Sequence, residues 1–289
     1  MGQTDRVSGH TKTIALIGTP VEHSMSPAMH NTSFEHLGLD YIYLAYDVQP
    51  EELKDAVVGL KTLGFTGYNV TMPHKTMIGQ YLDELSPAAE LMGAVNTVVI
   101  TDGKSIGHNT DGAGFMRNVK ENDVDIIGKK MTIVGAGGAG SAIFTQAALD
   151  GVAEIDIYNI HDKFFDRTAE RIAGIAEKTG CKMRLIDLGD QESLKQSVAE
   201  SVLFVNATSV GMEGNEDAST LPAEFMVDGL ALADTVYNPR KTKLLKDAEA
   251  KGLKILPGLG MLLWQAAIGE DIWTGKEMPT DLIEEKYFK

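Results

Sequence analysis

The sequence predicts an α/β protein with two domains, the first of them built on a mainly parallel sheet. Its 289 residues exceed the roughly 100 to 200 residues of a single domain. From residue 13 onward, short β-rich runs alternate with helical stretches, which is typical of βαβ units. A second cycle of the same alternation begins at Met131, so we expect a domain boundary near residues 112–125.

Four strands are predicted in the first half, where short runs are rich in β-branched and aromatic residues. They cover residues 13–18, 41–47, 65–70 and 94–100. Helices are expected between them. Ser26 followed by Pro27 has the order of an N-cap and a first helical residue, and Pro50 with two glutamates behind it opens another helix.

The second half repeats the alternation of strands and helices. Its predicted strands cover residues 131–134, 154–159, 183–186, 203–206 and 231–236. Helices are predicted at residues 162–178, in the apolar run 261–268 and after Pro279, and we expect the C-terminal ones to return to the first domain. The predicted domains are residues 1–112, of which 1–12 form a flexible leader, residues 113–257, and the C-terminal helices at residues 258–289.

Composition and charge exclude several classes of protein. The formal net charge of -15 would repel a phosphate backbone, so we expect no nucleic-acid partner. No window approaches the roughly 18 to 20 apolar residues that span a bilayer, and the polar N-terminus lacks the apolar region of a secretory signal. The single cysteine, Cys181, rules out an internal disulfide and a multi-cysteine metal site. We therefore expect a cytoplasmic protein with neither a metal nor a membrane partner.

A glycine-rich turn lies where the first strand of the second half ends. The residues Gly135, Ala136, Gly137, Gly138, Ala139 and Gly140 fit the pattern G-x-G-x-x-G between an apolar strand and a helix of small residues. Glycines there permit a tight turn and close approach of a pyrophosphate to backbone N–H groups. The alternative is merely close packing of a strand on a helix. Because both flanks are correct, the motif predicts a Rossmann-type dinucleotide-binding domain.

The end of the next strand decides between NAD and NADP. Asp162 can accept a hydrogen bond from a ribose hydroxyl and would repel a 2′-phosphate, an effect that Lys163 could soften. No arginine occurs in the turn that follows Asn159. Asp162 could also cap the following helix, and the two roles can coexist. The turn therefore favours NAD, with NADP as the second choice.

Four polar stretches in the first half lie next to the ends of predicted strands. In the first, the hydroxyls of Ser24 and Ser26 and the N–H groups of the following helix suit a carboxylate. In the second, a proline-stiffened turn presents Lys75, a potential general acid. The other two contain Asn96 and Asp111. Each stretch has an ordinary alternative, since these residues can equally be helix caps, a surface lysine or a hydrogen-bonded sheet amide.

Eight short segments, spread over nearly the whole chain, carry a stronger signal together than any of them does alone. They are GTPVEHSMSPAMHN (18–31), NVTMPHK (69–75), GAVNTV (93–98), NTDGAGF (109–115), GAGGAG (135–140), NATSVGM (206–212), VYNP (236–239) and GLGMLLWQAA (258–267). In this order the segments resemble the shikimate dehydrogenase family, and most closely its quinate/shikimate dehydrogenase branch.

The resemblance implies an enzyme that reversibly oxidises the C3 hydroxyl of shikimate to 3-dehydroshikimate and transfers the hydride to a nicotinamide. It implies that Lys75 and Asp111 form the catalytic pair and that Ser24 and Ser26 hold the substrate carboxylate. The other implied substrate-binding residues are Thr71, Asn96 and Gln265, with Tyr43 and Tyr237 lining the pocket. The implied cofactor-binding residues, beyond the glycine turn and the strand end, are Asn206, Thr208, Val210, Met212, Val236 and Gly258.

The chemistry leaves the part played by the catalytic pair open. Hydride leaves carbon only as the hydroxyl proton is removed, and a lysine within reach can carry that proton in both directions. A free lysine is a poor base at neutral pH, and a nearby carboxylate favours its charged form. An orienting and electrostatic role for Lys75 and Asp111 is therefore as defensible as simple base catalysis.

The sequence departs from the family pattern at the cofactor. Many members carry Asn-Arg at the strand end to grip NADP, whereas Ile160 follows Asn159 here. Use of quinate stays open, and a homodimer is usual in the family. Two alternatives remain: another two-domain dehydrogenase, of methylenetetrahydrofolate or amino-acid dehydrogenase type, and a dinucleotide-sensing module without catalysis.

Overall fold

The computed structural model describes residues 7–289, and the chain divides into two units. One unit contains the chain up to Thr110 together with Gln265–Lys289, and the other contains Asp111–Trp264. Residues 1–6 of the predicted leader lie outside the described residues. Thr11 donates a hydrogen bond to Asp40 Oδ1, and the first strand begins directly after it. Within the described part of the chain, no helix combines the length and the apolar character needed to cross a membrane.

The strands and helices are numbered in chain order. The strands are β1 (Lys12–Gly18), β2 (Tyr41–Asp47), β3 (Gly67–Val70), β4 (Glu84–Leu85), β5 (Thr97–Thr101), β6 (Lys104–His108), β7 (Lys130–Val134), β8 (Glu154–Asn159), β9 (Lys182–Asp187), β10 (Leu203–Asn206), β11 (Ala231–Asp234) and β12 (Lys254–Leu256). The α-helices are α1 (Ser26–His36), α2 (Leu53–Thr62), α3 (Pro87–Met92), α4 (Thr110–Glu121), α5 (Gly138–Leu149), α6 (Phe165–Thr179), α7 (Gln191–Glu200), α8 (Lys243–Ala250), α9 (Gly258–Thr274) and α10 (Thr280–Ile283). A π-helical segment, Glu284–Phe288, follows α10.

The sheet of the first unit has the strand order β2-β1-β3-β5-β6-β4. β1 pairs in parallel with β2 and β3, whereas β5 runs antiparallel to both β3 and β6. Ile14, Ala15, Leu16 and Ile17 of β1 are all buried, as expected of a central strand covered on both faces. This pairing brings the carboxyl ends of β1, β2 and β3, the start of β5 and the end of β6 to the same side of the sheet.

Helix α9 packs on this sheet through Trp273. The indole Nε1 donates a hydrogen bond of 2.9 Å to the Val98 carbonyl oxygen, and the side chain is buried. Gly67 on β3 makes this approach possible, because a Cβ there would overlap both the indole nitrogen and that carbonyl oxygen. The expectation that the C-terminal helices return to the first unit is confirmed.

The sheet of the second unit is parallel throughout, with the strand order β12-β11-β10-β7-β8-β9. The order reverses between β7 and β10, which is the switch point of a doubly wound Rossmann-type sheet. The turn from β7 into α5 lies at this switch point and contains the glycine motif. The predicted Rossmann-type fold is confirmed.

Several element boundaries differ from the sequence prediction. The predicted cap at Ser26 is wrong: Ser26 is the first residue of α1, Met25 occupies the cap position, and the Ser26 N–H donates to Ser24 Oγ. Asn96 precedes β5 rather than lying in it, and α6 begins at Phe165. The short strands β4, β6 and β12 have no counterpart in the prediction, because their few residues pair only with strands distant in the chain or across a tight turn.

Candidate active site

Main-chain hydrogen bonds join the polar stretches of the first unit at one end of its strands. The Thr71 N–H donates to the Ile17 carbonyl oxygen at 2.9 Å, which places the turn after β3 beside the end of β1. The Val70 N–H donates to the Asn96 carbonyl oxygen at 2.8 Å, and the Asn96 N–H donates to the His108 carbonyl oxygen at 3.0 Å. Three of the four predicted stretches are thus adjacent, and the fourth begins directly after β6.

Ser24 and Ser26 are half-buried at the start of α1. Pro27 follows as the second helical residue, so the first turn of the helix has N–H groups without partners inside the helix. Two hydroxyls and a helix N-terminus at the same place suit a carboxylate.

Tyr43 lies behind Ser26 and is fully buried, at 0% exposure. Its hydroxyl donates to Asn69 Oδ1 at 2.6 Å, and burial raises the pKa of Tyr43 well above its usual range, an effect that a hydrogen bond from the Ser26 hydroxyl opposes. The phenol therefore lies near the first stretch, at Ser26, and is hydrogen-bonded to Asn69 of the second. It supports these residues from inside the protein.

Asn69 continues the hydrogen-bond network towards β5. Its side-chain N–H groups donate to the Asn96 carbonyl oxygen and to Thr97 Oγ1, both at 3.0 Å. The Asn96 side chain in turn accepts from the Thr110 N–H at 2.7 Å and donates to Thr110 Oγ1 at 2.9 Å. All four residues are buried, so the network fixes the local backbone at the start of α4.

Lys75 lies on a short 3₁₀ turn, His74–Thr76, and is half-buried. The buried imidazole of His74 is 2.7 Å from the Val48 carbonyl oxygen through Nε2, and the Lys75 carbonyl oxygen accepts from the Val95 N–H at 2.8 Å. These two anchors fix the backbone of the turn from both sides. Thr71, also half-buried, precedes the turn.

Three other predicted substrate residues lie outside the strand ends of the first sheet and differ in exposure. Asp111 is in the first turn of α4 and is half-buried, while Tyr237 is 52% exposed, and both belong to the second unit. Gln265 is half-buried on α9 and belongs to the first unit.

The glycine turn of the second unit has the shape that a dinucleotide requires. Gly135 has φ +106°, and a Cβ at Gly140 would overlap the Gly135 carbonyl oxygen, so both positions need glycine. Nothing lies within 4 Å of a Cβ built at Gly137 or Gly138, which leaves that face of the turn open at the N-terminus of α5. The residues present therefore fit a pyrophosphate.

The strand end beside this turn is already hydrogen-bonded. Asn159 Oδ1 accepts from the Ala136 N–H at 3.1 Å. Asp162 Oδ1 accepts from the Phe164 N–H at 2.9 Å, so the carboxylate shapes the turn into α6. Lys163 lies above the Phe164 ring, with Nζ 5.0 Å from its centroid.

Arg171, from the second turn of α6, also reaches the glycine turn. Its Nη2 donates to Ser141 Oγ at 2.6 Å and to the Ala136 carbonyl oxygen at 3.4 Å. Burial and the charge of Arg167 lower the pKa of Arg171. Sequence reasoning missed this residue because it considered only the turn after the strand.

A buried carboxylate, Asp234, organises the segments that follow β10 and β11. It accepts from Asn206 Nδ2 at 3.0 Å, from Thr242 Oγ1 at 2.6 Å and from the Val236 N–H at 2.9 Å. Burial raises the pKa of Asp234. Asn206 Oδ1 also accepts from the Thr208 hydroxyl at 2.7 Å. An acidic residue two positions before VYNP was the sequence signal that could have identified it.

Of the remaining predicted cofactor residues, Val210 and Met212 follow β10, and Gly258 is the first residue of α9. Val210 donates its N–H to Thr208 Oγ1, and its carbonyl oxygen accepts from Asn206. Met212 is exposed, and a Cβ at Gly258 would overlap the carbonyl oxygens of Thr235 and Val236.

Comparison with known proteins identifies the family. A model described as the shikimate dehydrogenase substrate binding domain matches residues 16–98, and one described as the shikimate 5'-dehydrogenase C-terminal domain matches residues 258–286. A Listeria monocytogenes protein named shikimate dehydrogenase (NADP(+)) is 54% identical over 286 residues, which cover 99% of this chain and 98% of that protein.

Two solved structures extend the comparison to the fold. A shikimate 5-dehydrogenase from Listeria monocytogenes, in complex with shikimate and NAD, is 55% identical with a TM-score of 0.95 over 97% of each chain. A quinate dehydrogenase from Corynebacterium glutamicum, in complex with NAD, is 29% identical with a TM-score of 0.86 over 96% of this chain and 99% of that one. The chain therefore belongs to the shikimate dehydrogenase family, whose members are oxidoreductases that act on a CH–OH group.

Proposed function

We propose that this protein reversibly oxidises the C3 hydroxyl of shikimate to 3-dehydroshikimate, with a nicotinamide dinucleotide as the hydride acceptor. The observation that carries the proposal is the buried hydrogen-bonded network from Tyr43 through Asn69 to Asn96, which has Ser26 near its tyrosine end. This network holds, at one end of a single sheet, the residues that a carboxylate and several hydroxyls would need. The relative of known structure with bound shikimate and NAD supports the same substrate.

The substrate carboxylate is proposed to bind Ser24, Ser26 and the N-terminus of α1. Two hydroxyl donors and the positive end of a helix dipole supply the local attraction that an anion needs in a protein of net charge -15. Thr71, Asn96 and Gln265 are proposed to bind the ring hydroxyls, and the buried Tyr43 orients Ser26. Tyr237, which is exposed on the second unit, is proposed to cover the ring.

Lys75 is proposed to carry the proton of the reaction, with Asp111 as its catalytic partner. As C3 gives up its hydrogen with the electron pair, the hydroxyl proton passes to the lysine amine and the C–O bond becomes a carbonyl. In the reverse direction the ammonium returns the proton to the developing alkoxide. A bound NAD(P) supplies the hydride-accepting ring, and the anchored turn His74–Thr76 fixes the backbone that carries the lysine.

We propose that the second unit binds the dinucleotide at the glycine turn, with the residues after β10 and β11 at its nicotinamide end. NAD is proposed as the preferred cofactor, because Ile160 stands where an arginine would grip a 2′-phosphate and its side chain is 62% exposed. The sequence relatives from Listeria and Streptococcus are named for NADP(+), whereas the Listeria monocytogenes structure was solved with NAD. The ratio of kcat/KM with NAD to kcat/KM with NADP is therefore the quantity that tests this preference.

The deciding experiment measures initial rates of NAD and NADP reduction with shikimate and with quinate. We expect turnover of shikimate, a higher kcat/KM with NAD than with NADP, and a fall in kcat of about 10² to 10⁴ in Lys75→Ala. Unchanged kcat in this variant would remove Lys75 from the mechanism. Binding of the dinucleotide without turnover of either substrate would instead favour the sensing module. Sedimentation of the same sample tests the proposed homodimer.

A further inference from the structure

Glu270 is a buried carboxylate that joins two helices of the first unit. It lies on α9 with 0% exposure, and its Oε2 is 2.9 Å from Nδ1 of His30 on α1. Its Oε1 accepts a hydrogen bond from the hydroxyl of Ser33, one turn further along α1. His30 and Ser33 are also buried. Residues 240 positions apart in the chain thus form one closed cluster.

The His30 side chain connects this cluster to Tyr43. The imidazole stacks on the Tyr43 ring, with centroids 4.6 Å apart and planes 16° from parallel. Asn31 ties the same two elements together, since it donates to the Tyr43 carbonyl oxygen at 2.8 Å and accepts from the Tyr43 N–H at 2.9 Å. The phenol that supports Ser26 is therefore held by its ring face and by its backbone.

The second ring nitrogen of His30 indicates how the imidazole is protonated. Within the described residues, Nε2 is buried and has no hydrogen-bond partner. A neutral ring that donates from Nδ1 to the carboxylate leaves only a bare acceptor at Nε2, whereas every other form would leave a buried N–H without a partner. His30 is therefore best described as donating from Nδ1 to one Glu270 oxygen, while the other oxygen accepts from Ser33.

Burying a carboxylate with only two partners costs desolvation free energy, so the cluster is weak evidence for stability. Its value is better sought in the positions that it imposes on the two helices. Glu270 follows Gln265 by five residues on α9, and His30 follows Ser26 by four residues on α1. Ser26 and Gln265 are the residues proposed to bind opposite parts of the substrate. The cluster therefore fixes α1, which is proposed to bind the substrate carboxylate, relative to α9, which is proposed to bind a ring hydroxyl.

We propose that Glu270 is a positioning residue for the substrate site, acting through His30 and Tyr43 on Ser26. The proposal rests on the function proposed above. Its carboxylate is bonded to His30 and Ser33 of α1, and neither residue belongs to the glycine turn, so its loss acts on shikimate affinity and spares dinucleotide affinity.

The test compares Glu270→Leu, Glu270→Gln and His30→Asn with Asp271→Asn, an exposed neighbour on the same helix that serves as the control. Steady-state KM values for shikimate and for NAD, kcat, and the shikimate Kd from calorimetry are measured for each. We expect Glu270→Leu to raise the KM and Kd for shikimate about 10- to 100-fold, which is what loss of hydrogen bonds to one charged group gives. Glu270→Gln and His30→Asn keep part of the bonding and should give smaller rises, and the KM for NAD should stay within about twofold in all variants.

A double-variant cycle separates positioning from a general loss of stability. If Glu270 acts through Ser26, the combined effect of Glu270→Gln and Ser26→Ala on shikimate affinity will be smaller than the product of the single effects. Should the leucine variant fail to fold, the glutamine and asparagine variants carry the same comparison.

Each remaining outcome has a definite meaning. Unchanged shikimate affinity in folded Glu270 and His30 variants, or an equal rise in the KM for NAD, overturns the positioning role and leaves the proposed function intact. Wild-type protein that binds shikimate without oxidising it refutes the proposed reaction, while the Kd series still decides the role of Glu270. Wild-type protein that does neither overturns both.

Discussion

Tyr43, which the resemblance implies as a residue lining the pocket, is proposed to serve the substrate site from a fully buried position. Its ring is fully buried, its hydroxyl donates to Asn69 Oδ1 near Ser26, and His30 stacks on its face. A buried phenol with satisfied hydrogen bonds is rigid, because every alternative rotamer would break them. The position of the Ser26 hydroxyl is thus proposed to be fixed by a residue buried inside the protein.

Arg171 is a second residue whose position changes what the sequence implies. The turn after β8 lacks an arginine, yet Arg171 brings a guanidinium to the Ala136 carbonyl oxygen and to Ser141. Asp162, which was expected to repel a 2′-phosphate, is occupied with the Phe164 N–H. A cation beside the glycine turn attracts the extra phosphate of NADP, so Arg171 opposes the preference for NAD that Ile160 favours.

We therefore predict that Arg171→Met lowers kcat/KM for NADP about tenfold more than for NAD, the scale of one charge-assisted contact. The ratio of the two values is measured with shikimate held at saturation. Lys178→Met, near the C-terminus of the same helix, is the control. An equal fall with both cofactors would mean that Arg171 only braces the glycine turn.

Among the elements, α9 depends on the absence of a side chain on the sheet beneath it. The indole of Trp273 lies where a Cβ of residue 67 would be. Gly59, inside α2, is the opposite case, because nothing lies within 4 Å of a Cβ built there.

We predict that Gly67→Ala lowers the free energy of unfolding by about 3 kcal/mol, the upper part of the range for overpacking a core. Gly59→Ala should instead raise it by about 0.5 to 1 kcal/mol, because alanine favours a helix interior. Urea unfolding of both variants measures the difference. Similar midpoints for the two would show that α9 can shift to accommodate the extra methyl group.

The sequence predicted the more exposed β2 and β9 as well as the strands that have a continuous buried run, such as β1, β8 and β10. Local composition is sufficient there because burial on both faces demands apolar residues throughout. The strand β12 has three residues and exists only because β11 lies beside it. Its formation depends on pairing with a distant segment, which local pattern does not record.

The same division applies to the candidate site. Ser24, Lys75 and Asn96 could be found because polar residues at strand ends form a local signal. Asn69 and Asp234 act through partners in other segments, and these partners become visible only once the sheets are assembled. Glu270 left one trace in the sequence, as one of two adjacent acidic residues in a mostly apolar helix, and an acid that is buried there implies a partner.

At the scale of the whole molecule, the first unit is discontinuous. It closes only when residues 265–289 join residues 7–110, through Trp273, Glu270 and the hydroxyl of Tyr287, which lies 2.7 Å from Thr32 Oγ1. The glycine turn and the segments around Asp234 lie entirely within Asp111–Trp264.

We predict that ending the chain after Trp264 abolishes measurable shikimate binding, because the first unit loses its central helix contacts. ADP-ribose, which lacks the nicotinamide, should still bind within about threefold of its normal affinity, as expected for sites with no shared partners. Calorimetry with each ligand gives both values. Retained shikimate turnover by the shortened chain would contradict the account of α9 given above.

The discontinuity of the first unit also determines the order in which the two units can fold during synthesis on the ribosome. Residues 111–264 emerge as an unbroken stretch and can fold as they appear, whereas the β1–β6 sheet waits for the last twenty-five residues to supply Glu270 and Trp273. The nascent chain thus gains a nucleotide-binding half before it has a substrate-binding half. A chain released too early would sequester cofactor while catalysing nothing.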